Sequence, residues 1–583
     1  MSRYYKFLSN NITSALILEG SVEWFPVPRF DSPSIFNKIL DDEKGGYFSI
    51  KPIHNSSTIA EEYIGDSLVL KTTFYTDFGR AEVIDFLPLF ISGLIRIYNS
   101  EIELEVNVEP YFEYGLIAPS VIRAKNGVIF KNPKSKEGVE LLIRGEFERV
   151  SNTKYLLKKG QGYLFLLYSK DLRYGLFSNK GFVYSDPYEA LEVAINYWRG
   201  KIRKAKNVNK FKEVYYRSLL VLLGLIYKPS GGIIAAPTTS LPEIIGSSRN
   251  WDYRYVWIRD ASHAAEALIK AGLIIEGRNI LSFLTSVMEP SSKSFDHPLY
   301  SVDGTPPPAE EILDWLKGHK DSFPVRIGNA AYMQLQMDVE GFYLHSLYTY
   351  YQATKDKVYL EDNWWAIESI ANWVKKNWKM KSTDLWEQRG IEKHFTFTKV
   401  MNWVALDRAS RLALELGYKK EAEEWGKVSE EIRKDVLENG YSEELGHFVS
   451  YYEGKSIDGS LLALPLFGFI SAKDPRFLNT LKKIEEDLTV TEGFLLRYKE
   501  DFMGNVKHPF TLLSTWLARI YIRLGDVEKA SRILEKLIKC STDTLLIGEH
   551  VDIETCEPRG NFPHVFPHSG LILAVIELQE NSY

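Results

Sequence analysis

Several features that mark common protein classes are scarce or missing in this sequence of 583 residues. It contains only two cysteines, Cys540 and Cys556, outside any CxxC or Cys/His pattern, so neither a disulfide framework nor a zinc module is indicated. We expect two separate structural thiols in a reducing compartment, while a disulfide between them stays open as the alternative. The HExxH, GxSxG and GxxxxGKS/T patterns are also absent, which argues against metalloprotease, serine hydrolase and P-loop chemistry. We therefore expect neither a metal nor a cofactor.

Neither a broad positive surface nor a membrane segment is indicated. Basic and acidic residues number 71 and 77, a net charge of −6, so nucleic acid is not an expected partner. The basic run at 201–212 is interpreted as a solvated linker or helix face. The apolar run SLLVLLGLIY, residues 218–227, is about half of the ~20 residues that cross a bilayer, which predicts a buried helix and no membrane partner. Because residues 1–20 lack the apolar core of a secretory signal, we expect a cytoplasmic protein.

The chain divides into two parts with different hydrophobic periods. Up to about residue 185, short β-rich runs such as SLVLKTTFYTDFG and IELEVNVEPYFEYG alternate with turn signals, which is typical of antiparallel sheets packed as a sandwich. From residue 187 onward the period becomes about 3.6, as in NWWAIESIANWVKKNW and VEKASRILEKLIKC. The pattern predicts an α+β multidomain protein with a β-sandwich domain at 1–186, a helical linker at 187–208 and a helical toroid or bundle at 209–583.

Four stretches rich in polar and aromatic residues interrupt the helical pattern. They are RNWDYRYVWIRD (249–260), DLWEQRG (384–390), LLRYKEDFMGN (495–505) and LIGEHVDIETCEPRGNFPHVFPHSG (546–570). Aromatic faces cover the C–H surface of a sugar ring while charged and amide groups bind its hydroxyls, so this composition is typical of a carbohydrate site. Connecting loops are also where a helical scaffold usually carries its functional residues.

Glu387 and Glu549, each in one of these stretches, are the candidate catalytic carboxyls. Glycoside hydrolysis needs a protonated carboxyl for the leaving oxygen and an ionised one that attacks or activates water. We expect the neighbouring Trp386 to exclude water from Glu387 and raise its pKa, whereas Glu549 should stay ionised. With 77 acidic residues in the chain, spacing alone also fits helix caps or surface ion pairs, so both interpretations stay open on this evidence.

Three regions read WDYRYVWIRD, DLWEQRG followed by HFTFTKVMNWVALDRA, and GEHVD followed by GNFPHVFPHSGLI. Together they resemble the signature regions of glycoside hydrolase family 15, the glucoamylase family, in its bacterial and archaeal branch, which also contains trehalases. The N-terminal GSVEWFPVPRFDSPSIFNKILDDEKGGYFSIKP and the central FPVRIGNAAYMQLQMDVEGF extend the resemblance over nearly the whole chain. It implies an N-terminal antiparallel β-sandwich followed by an (α/α)6 barrel, the catalytic domain, at 209–583.

The resemblance also implies an inverting mechanism, with Glu387 as general acid and Glu549 as general base. Their carboxyls should then stand roughly 6.5–9.5 Å apart, which leaves room for the attacking water. It places six further residues in a glucose site, namely Tyr253, Trp257, Arg259, Asp260, Trp386 and Arg497. Among these, Arg259 and Asp260 would bind the outer hydroxyls of the terminal glucose, which makes the family exo-acting.

Other conspicuous residues are interpreted as structural. His564 and His568 have a spacing that binds metal on a helix, but Pro563 and Pro567 disfavour a regular helix there, so both histidines are interpreted as loop-packing residues. The group Gln334, Gln336 and Asp338 is likewise interpreted as structural rather than catalytic. Two positions, Gln388 and His550, depart from the family pattern.

The first functional hypothesis is a glucoamylase that releases β-glucose from the non-reducing ends of maltooligosaccharides or glycogen-like glucan. The alternative is an α,α-trehalase of the same family. A disaccharide phosphorylase and a non-catalytic carbohydrate-binding protein are remoter hypotheses. The expected partner is therefore an α-linked glucose oligosaccharide or disaccharide, and the oligomeric state stays open, a homo-oligomer included.

Overall fold

The computed structural model describes residues 3–56, 58–173, 186–289 and 291–581. The N-terminal strands are β1 Lys6–Ser9, β2 Ser14–Leu18, β3 Ser21–Trp24, β4 Phe48–Pro52, β5 Thr58–Tyr63, β6 Leu70–Thr76, β7 Gly79–Phe86, β8 Gly93–Ser100, β9 Leu104–Val108, β10 Ser120–Ala124, β11 Gly127–Lys131, β12 Gly138–Arg144, β13 Phe147–Arg149, β14 Lys154–Leu157 and β15 Gly160–Ser169. They form a seven-stranded sheet, β1-β2-β3-β4-β9-β14-β13, and an eight-stranded sheet, β10-β11-β12-β15-β8-β7-β6-β5. The pairings within both sheets are antiparallel, and an apolar core fills the space between the sheets.

Helices dominate the remainder of the described chain. They are α1 Pro187–Ile202, α2 Lys212–Leu225, α3 Ile258–Lys270, α4 Ile274–Ser286, α5 Val339–Thr354, α6 Lys357–Asp362, α7 Trp364–Asn377, α8 Thr396–Leu416, α9 Lys419–Asn439, α10 Ala463–Leu466, α11 Pro475–Leu488, α12 Thr511–Leu524, α13 Val527–Lys539 and α14 Val565–Glu580. Short two-stranded hairpins lie between them: β16 Val256–Trp257 with β17 Leu299–Tyr300, β18 Glu311–Ile312 with β19 Arg326–Ile327, β20 Tyr441–Ser442 with β21 His447–Phe448, β22 Thr489–Thr491 with β23 Phe494–Leu495, β24 Glu500–Asp501 with β25 Gly504–Asn505, and β26 His550–Val551 with β27 Pro558–Arg559.

Twelve of the described helices form two concentric rings. In the inner ring α3 packs on α5, α5 on α8, α8 on the single turn α10, α10 on α12, α12 on α14, and α14 again on α3. The outer ring consists of α4, α7, α9, α11, α13 and α2. Helix α13 fully buries a stripe at i, i+3, i+4 and i+7, while its other residues are exposed or partly buried, as in an outer helix. Helix α14 is buried on nearly all sides. The predicted β-sandwich and (α/α)6 barrel are thus confirmed.

The four polar and aromatic stretches lie in loops that lead into inner helices. The first enters α3, the second precedes α8, the third precedes α12 and the fourth enters α14. Because the N-termini of alternate helices in such a barrel meet at one end, these loops converge there. No described helix has the length and apolarity that a membrane crossing requires.

The sandwich braces one of these loops. Arg254 and Asp252 form a fully buried ion pair in the stretch before α3. The guanidinium also donates to the backbone oxygen of Ser32 at 2.8 Å and to the hydroxyl of Tyr114 at 2.7 Å, both in the sandwich. A second link is the bond from the Trp24 indole to the backbone oxygen of Pro237 at 2.7 Å. The N-terminal domain therefore fixes the loop that carries the predicted Tyr253 and Trp257.

The two cysteines are not free thiols. Cys540, directly after α13, and Cys556, in the turn between β26 and β27, form a disulfide with their Cα atoms 4.6 Å apart. The preferred expectation of separate thiols was wrong, and the alternative that the sequence left open is the observed one. A separation of 16 residues carries no local sign of pairing, because the approach depends on how the loop returns to the end of the helix.

Candidate active site

One cavity brings together the residues predicted for the site. Its walls include all eight of them, namely Tyr253, Trp257, Arg259, Asp260, Trp386, Glu387, Arg497 and Glu549. Apolar side chains complete the walls, among them Leu385, Phe510 and Phe566. We call this space the first cavity. Three carboxyls, two guanidinium groups and several aromatic rings around one space form an arrangement that suits a sugar ring.

Glu387 adopts an unusual backbone conformation. Its φ is +58°, in the left-handed region, which costs about 1–3 kcal/mol in a residue other than glycine. Its carboxyl Oε1 accepts hydrogen bonds from the Trp257 indole at 2.7 Å, the Gln336 amide at 2.9 Å and, at 3.5 Å, the Arg259 guanidinium. All the hydrogen bonds that the described residues make to this side chain thus end on one oxygen. The other oxygen, Oε2, accepts none of these bonds.

The loop around Glu387 is tied down on both sides. Gln334 donates to the Glu387 backbone oxygen at 3.1 Å. The Gln388 side chain donates to Asp384 at 2.8 Å, across one turn of the loop. Arg389 makes two bonds, at 2.9 and 2.6 Å, to the carboxylate of Glu310. Such anchors hold the strained residue in place.

Glu549 is buried, with 6% of its surface exposed. Its Oε1 accepts a hydrogen bond from the Tyr253 hydroxyl at 2.8 Å. Burial raises the pKa of Glu549 to about 7, and the negative charge of Glu243 acts in the same direction, while His550 and Arg497 oppose it. Desolvation thus acts against the ionised state that the sequence analysis expects of Glu549.

Arg497 is held by an acid that the sequence analysis did not select. Its guanidinium makes two bonds, at 3.0 and 2.9 Å, to Glu243, which lies 254 residues earlier. Burial alone would raise the pKa of Glu243, but Arg497 and His550 outweigh it and lower that pKa to about 2. Among the described residues, Glu243, Glu549 and His550 are the group whose ligand atoms lie close enough, within 4.8 Å, to hold a metal ion. The Arg497 guanidinium already neutralises Glu243 there.

Arg259 is likewise fixed from behind. Asp338 accepts two bonds from it, at 2.7 and 3.2 Å, and Gln336 accepts another at 2.6 Å. Burial raises the pKa of the neighbouring Asp260 to about 7, although Arg259 acts to lower it. Gln336 and Asp338, interpreted from sequence as structural, do not line the first cavity but orient a residue that does.

Trp386 lines the first cavity together with Glu387. Its indole donates to Asp458 at 3.2 Å, whereas the indole that donates to the Glu387 carboxyl is that of Trp257. Burial raises the pKa of Asp384 to about 7, and burial also raises that of Asp458. Two buried carboxyls, Asp384 within the loop and Asp458 outside it, thus accept hydrogen bonds from Gln388 and Trp386. The contact with Asp458 has no local signal in the sequence.

Of the two histidines in the last stretch, His564 is a buried residue outside the helix, as expected, whereas His568 differs from expectation. His564 is the N-cap of α14 and accepts a hydrogen bond from the Phe566 amide at 3.1 Å. His568 lies inside the helix, where it contacts the Ser218 hydroxyl and accepts from the Ile547 amide. The helix forms because Pro567 occupies its first turn, where a missing N–H breaks no intrahelical bond.

Comparisons with known proteins agree over both domains. The model of glycosyl hydrolases family 15 matches residues 209–576, and that of a trehalase-like N-terminal domain matches residues 3–141. Trehalase 2 of Sulfolobus acidocaldarius is 57% identical over 576 residues, which cover 99% of each chain. Trehalase 1 of the same organism is 44% identical over 98% of each chain, and a trehalase of Mycolicibacterium smegmatis is 33% identical over 98% of this chain and 90% of its own.

A solved structure adds an independent likeness. A bacterial glucoamylase complexed with acarbose superposes with a TM-score of 0.78 over 100% of this chain and 94% of its own, at 15% identity. At that identity the likeness concerns the fold, a β-sandwich joined to an (α/α)6 barrel. Since the family model covers more than half of the sequence and full-length relatives exceed 30% identity, the chain belongs to glycosyl hydrolase family 15 and is a glycoside hydrolase.

Proposed function

We propose that the protein is an α,α-trehalase that hydrolyses trehalose to two molecules of glucose. The observation that carries this proposal is the 57% identity, over 99% of both chains, to Trehalase 2 of S. acidocaldarius. It favours the trehalase alternative over the glucoamylase hypothesis, because the resemblance to a solved glucoamylase is one of fold at 15% identity. Two carboxyls on one cavity supply the groups that the reaction needs.

Glu387 is the proposed general acid. Three donors surround its Oε1, so the proton of the carboxyl belongs on Oε2, the oxygen to which none of the described residues donates. From there it passes to the oxygen that joins the two glucose units as the bond from that oxygen to the first anomeric carbon breaks. The leaving glucose keeps this oxygen as its own hydroxyl and retains its α configuration.

Glu549 is the proposed general base. With its pKa raised to about 7, the Glu549 carboxyl is partly ionised near neutral pH and is still basic enough to accept a proton. In its ionised form it removes a proton from a water molecule that attacks the anomeric carbon from the opposite face. The first glucose is then released in the β configuration. The Tyr253 hydroxyl stabilises the Glu549 carboxylate by donating a hydrogen bond to it.

The remaining walls of the first cavity bind the glucose that is attacked. Arg259 and Asp260 have the charge and burial to bind its outer hydroxyls, and the guanidinium of Arg497 lies on the same cavity. Desolvated, ion-paired guanidinium groups hold fixed positions, so they orient a sugar without being ordered by it. This preorganisation aligns the anomeric carbon between the two carboxyls.

Incubation with trehalose and, separately, with maltotriose tests the proposal. We expect glucose from trehalose in phosphate-free buffer, with α- and β-glucose in equal initial amounts by NMR, since only one anomeric carbon is inverted. In ¹⁸O-water only the β product should carry label. Glucose from maltotriose but not from trehalose would establish the glucoamylase hypothesis instead, and a requirement for phosphate with glucose 1-phosphate as product would establish a phosphorylase.

A further inference from the structure

A second cavity adjoins the first and shares four of its walls. The shared residues are Tyr253, Trp386, Glu387 and Arg497. Glu549, Arg259 and Asp260 line only the first cavity. If the attacked glucose lies between the two carboxyls, the leaving group must lie beyond Glu387, which is where the second cavity opens.

The hairpin β24–β25 forms one wall of the second cavity. Phe502 and Met503, at its turn, both line that space. Phe502 is nevertheless 57% exposed, which places its ring at the mouth. This hairpin belongs to the polar and aromatic stretch at 495–505, of which the proposed mechanism uses only Arg497.

A buried ion pair fixes the base of the hairpin. Arg249 makes two bonds to the Asp501 carboxylate, at 2.8 and 2.6 Å, and a third to the Gly504 backbone oxygen at 2.8 Å. The two side chains are 3% and 4% exposed. Asp501 also accepts from the Tyr498 hydroxyl and from the Met503 amide, at 2.7 and 2.8 Å. Five hydrogen bonds therefore hold the turn in place, four of them accepted by Asp501 and one by Gly504.

Another wall of the second cavity is fixed in a similar way. Trp251 lines it, with the guanidinium groups of Arg326 and Arg389 at 5.7 and 5.9 Å from its ring. Arg389 in turn is bonded twice to Glu310. Such cation–π and ion-pair contacts resist the displacement of the ring. Both walls of the second cavity are thus held in place, so the fold fixes the space that is available to a leaving group.

We propose that the hairpin turn at Phe502 and Met503, clamped by Arg249 and Asp501, determines substrate specificity by limiting the leaving group to a single sugar unit. The inference rests on the proposed function: trehalose is a disaccharide, so its leaving group is one glucose without a further chain. A maltooligosaccharide of three or more units has a longer leaving group, which would need to extend past the turn, where the Phe502 ring stands at the mouth.

The test compares kcat/KM for trehalose, maltose and maltotriose in the wild type and in Phe502→Ala. The ring is mostly exposed, so its removal should leave folding intact. We expect the ratio of maltotriose to trehalose to rise at least tenfold, with the loss on trehalose mainly in KM, because the ring does not touch the reacting atoms. Asp501→Asn should shift the ratio in the same direction. Val490→Ala, which removes a 44% exposed side chain from the hairpin β22–β23, is the matched control and should change nothing.

The wild-type and variant results answer different questions. A wild type inactive on trehalose would contradict the proposed function, whatever the variants do. A wild type active on trehalose whose Phe502→Ala variant keeps the same substrate ratio within twofold would overturn the inference alone. A fall in that ratio would also overturn it, because Phe502 would then be a platform that binds longer chains.

Discussion

The loop at 384–390 and the loop at 541–564 each bring a carboxyl to the same cavity, yet they build its surroundings differently. Glu387 stands in a strained backbone conformation, is 22% exposed along its side chain and has three donors on one oxygen. Glu549 is buried on a cross-linked loop, with one hydroxyl donor and a second acid, Glu243, nearby. The first carboxyl is oriented by hydrogen bonds and the second is tuned by desolvation.

The difference separates the proposed roles. An acid must present its proton along one direction, which the donors on Oε1 achieve by leaving Oε2 to the substrate. A base must change protonation near the working pH, which burial achieves by raising the pKa of Glu549 to about 7. Gly560 leaves room for the Glu549 carboxyl, because a Cβ at that position would lie 2.7 Å from it. The comparison therefore predicts that the two carboxyls respond differently to the leaving group.

The largest expected effect comes from Glu387→Gln and Glu549→Gln. Each should lower kcat on trehalose by roughly 10²-fold or more, as is typical for the loss of general acid or base catalysis. On α-glucosyl fluoride, whose leaving group needs little protonation, Glu387→Gln should lose less than about tenfold, while Glu549→Gln should remain as impaired as on trehalose. Steady-state kinetics on both substrates measure the split.

The exposed Glu392, five positions after Glu387, supplies the control for this experiment, and Glu392→Gln should keep the wild-type rates. If kcat on α-glucosyl fluoride fell by the same factor in both catalytic variants, Glu387 and Glu549 would not have the different roles that the contrast between the two loops predicts. If Glu549→Gln alone recovered on the fluoride, the two roles would be exchanged.

The parts of this site that the sequence predicts are those with a local signal. Helical periodicity and the density of aromatic and charged residues locate the four loops that contain Glu387 and Glu549, and the resemblance to the family's signature regions selects these two carboxyls and their neighbours. The pairing of Arg497 with Glu243 spans 254 residues, and that of Arg259 with Asp338 spans 79. No local pattern encodes such partners, since their approach depends on how the barrel closes. For the same reason the sequence could not decide between two separate thiols and the observed disulfide.

The cross-link should matter for stability more than for catalysis. It closes a loop of about 16 residues around Glu549, and the loss of such a loop constraint costs roughly 3 kcal/mol. We expect the double variant Cys540→Ala, Cys556→Ala to lower the free energy of unfolding in urea by that amount, with kcat/KM changed less than threefold because Tyr253 still holds the carboxyl. Equal stability of the variant and the oxidised wild type would show that the loop is held by its packing alone.

The smallest expected effect is a shift in pH dependence. The Tyr253 hydroxyl donates to Glu549 and so favours its ionised form, which lowers the pKa of that carboxyl. In Tyr253→Phe this pKa should rise, and since the base acts ionised, the acidic limb of kcat/KM against pH should move to higher pH. A hydrogen bond to a charged group is worth about 1.5–3 kcal/mol, which corresponds to about one to two pH units.

Tyr343→Phe is the control: it removes a buried hydroxyl that bonds Thr285 away from both cavities, and it should leave the acidic limb in place. An acidic limb that stays where it is in Tyr253→Phe would mean that some group other than Glu549 titrates there, and the contrast between an oriented acid and a tuned base would fall with it.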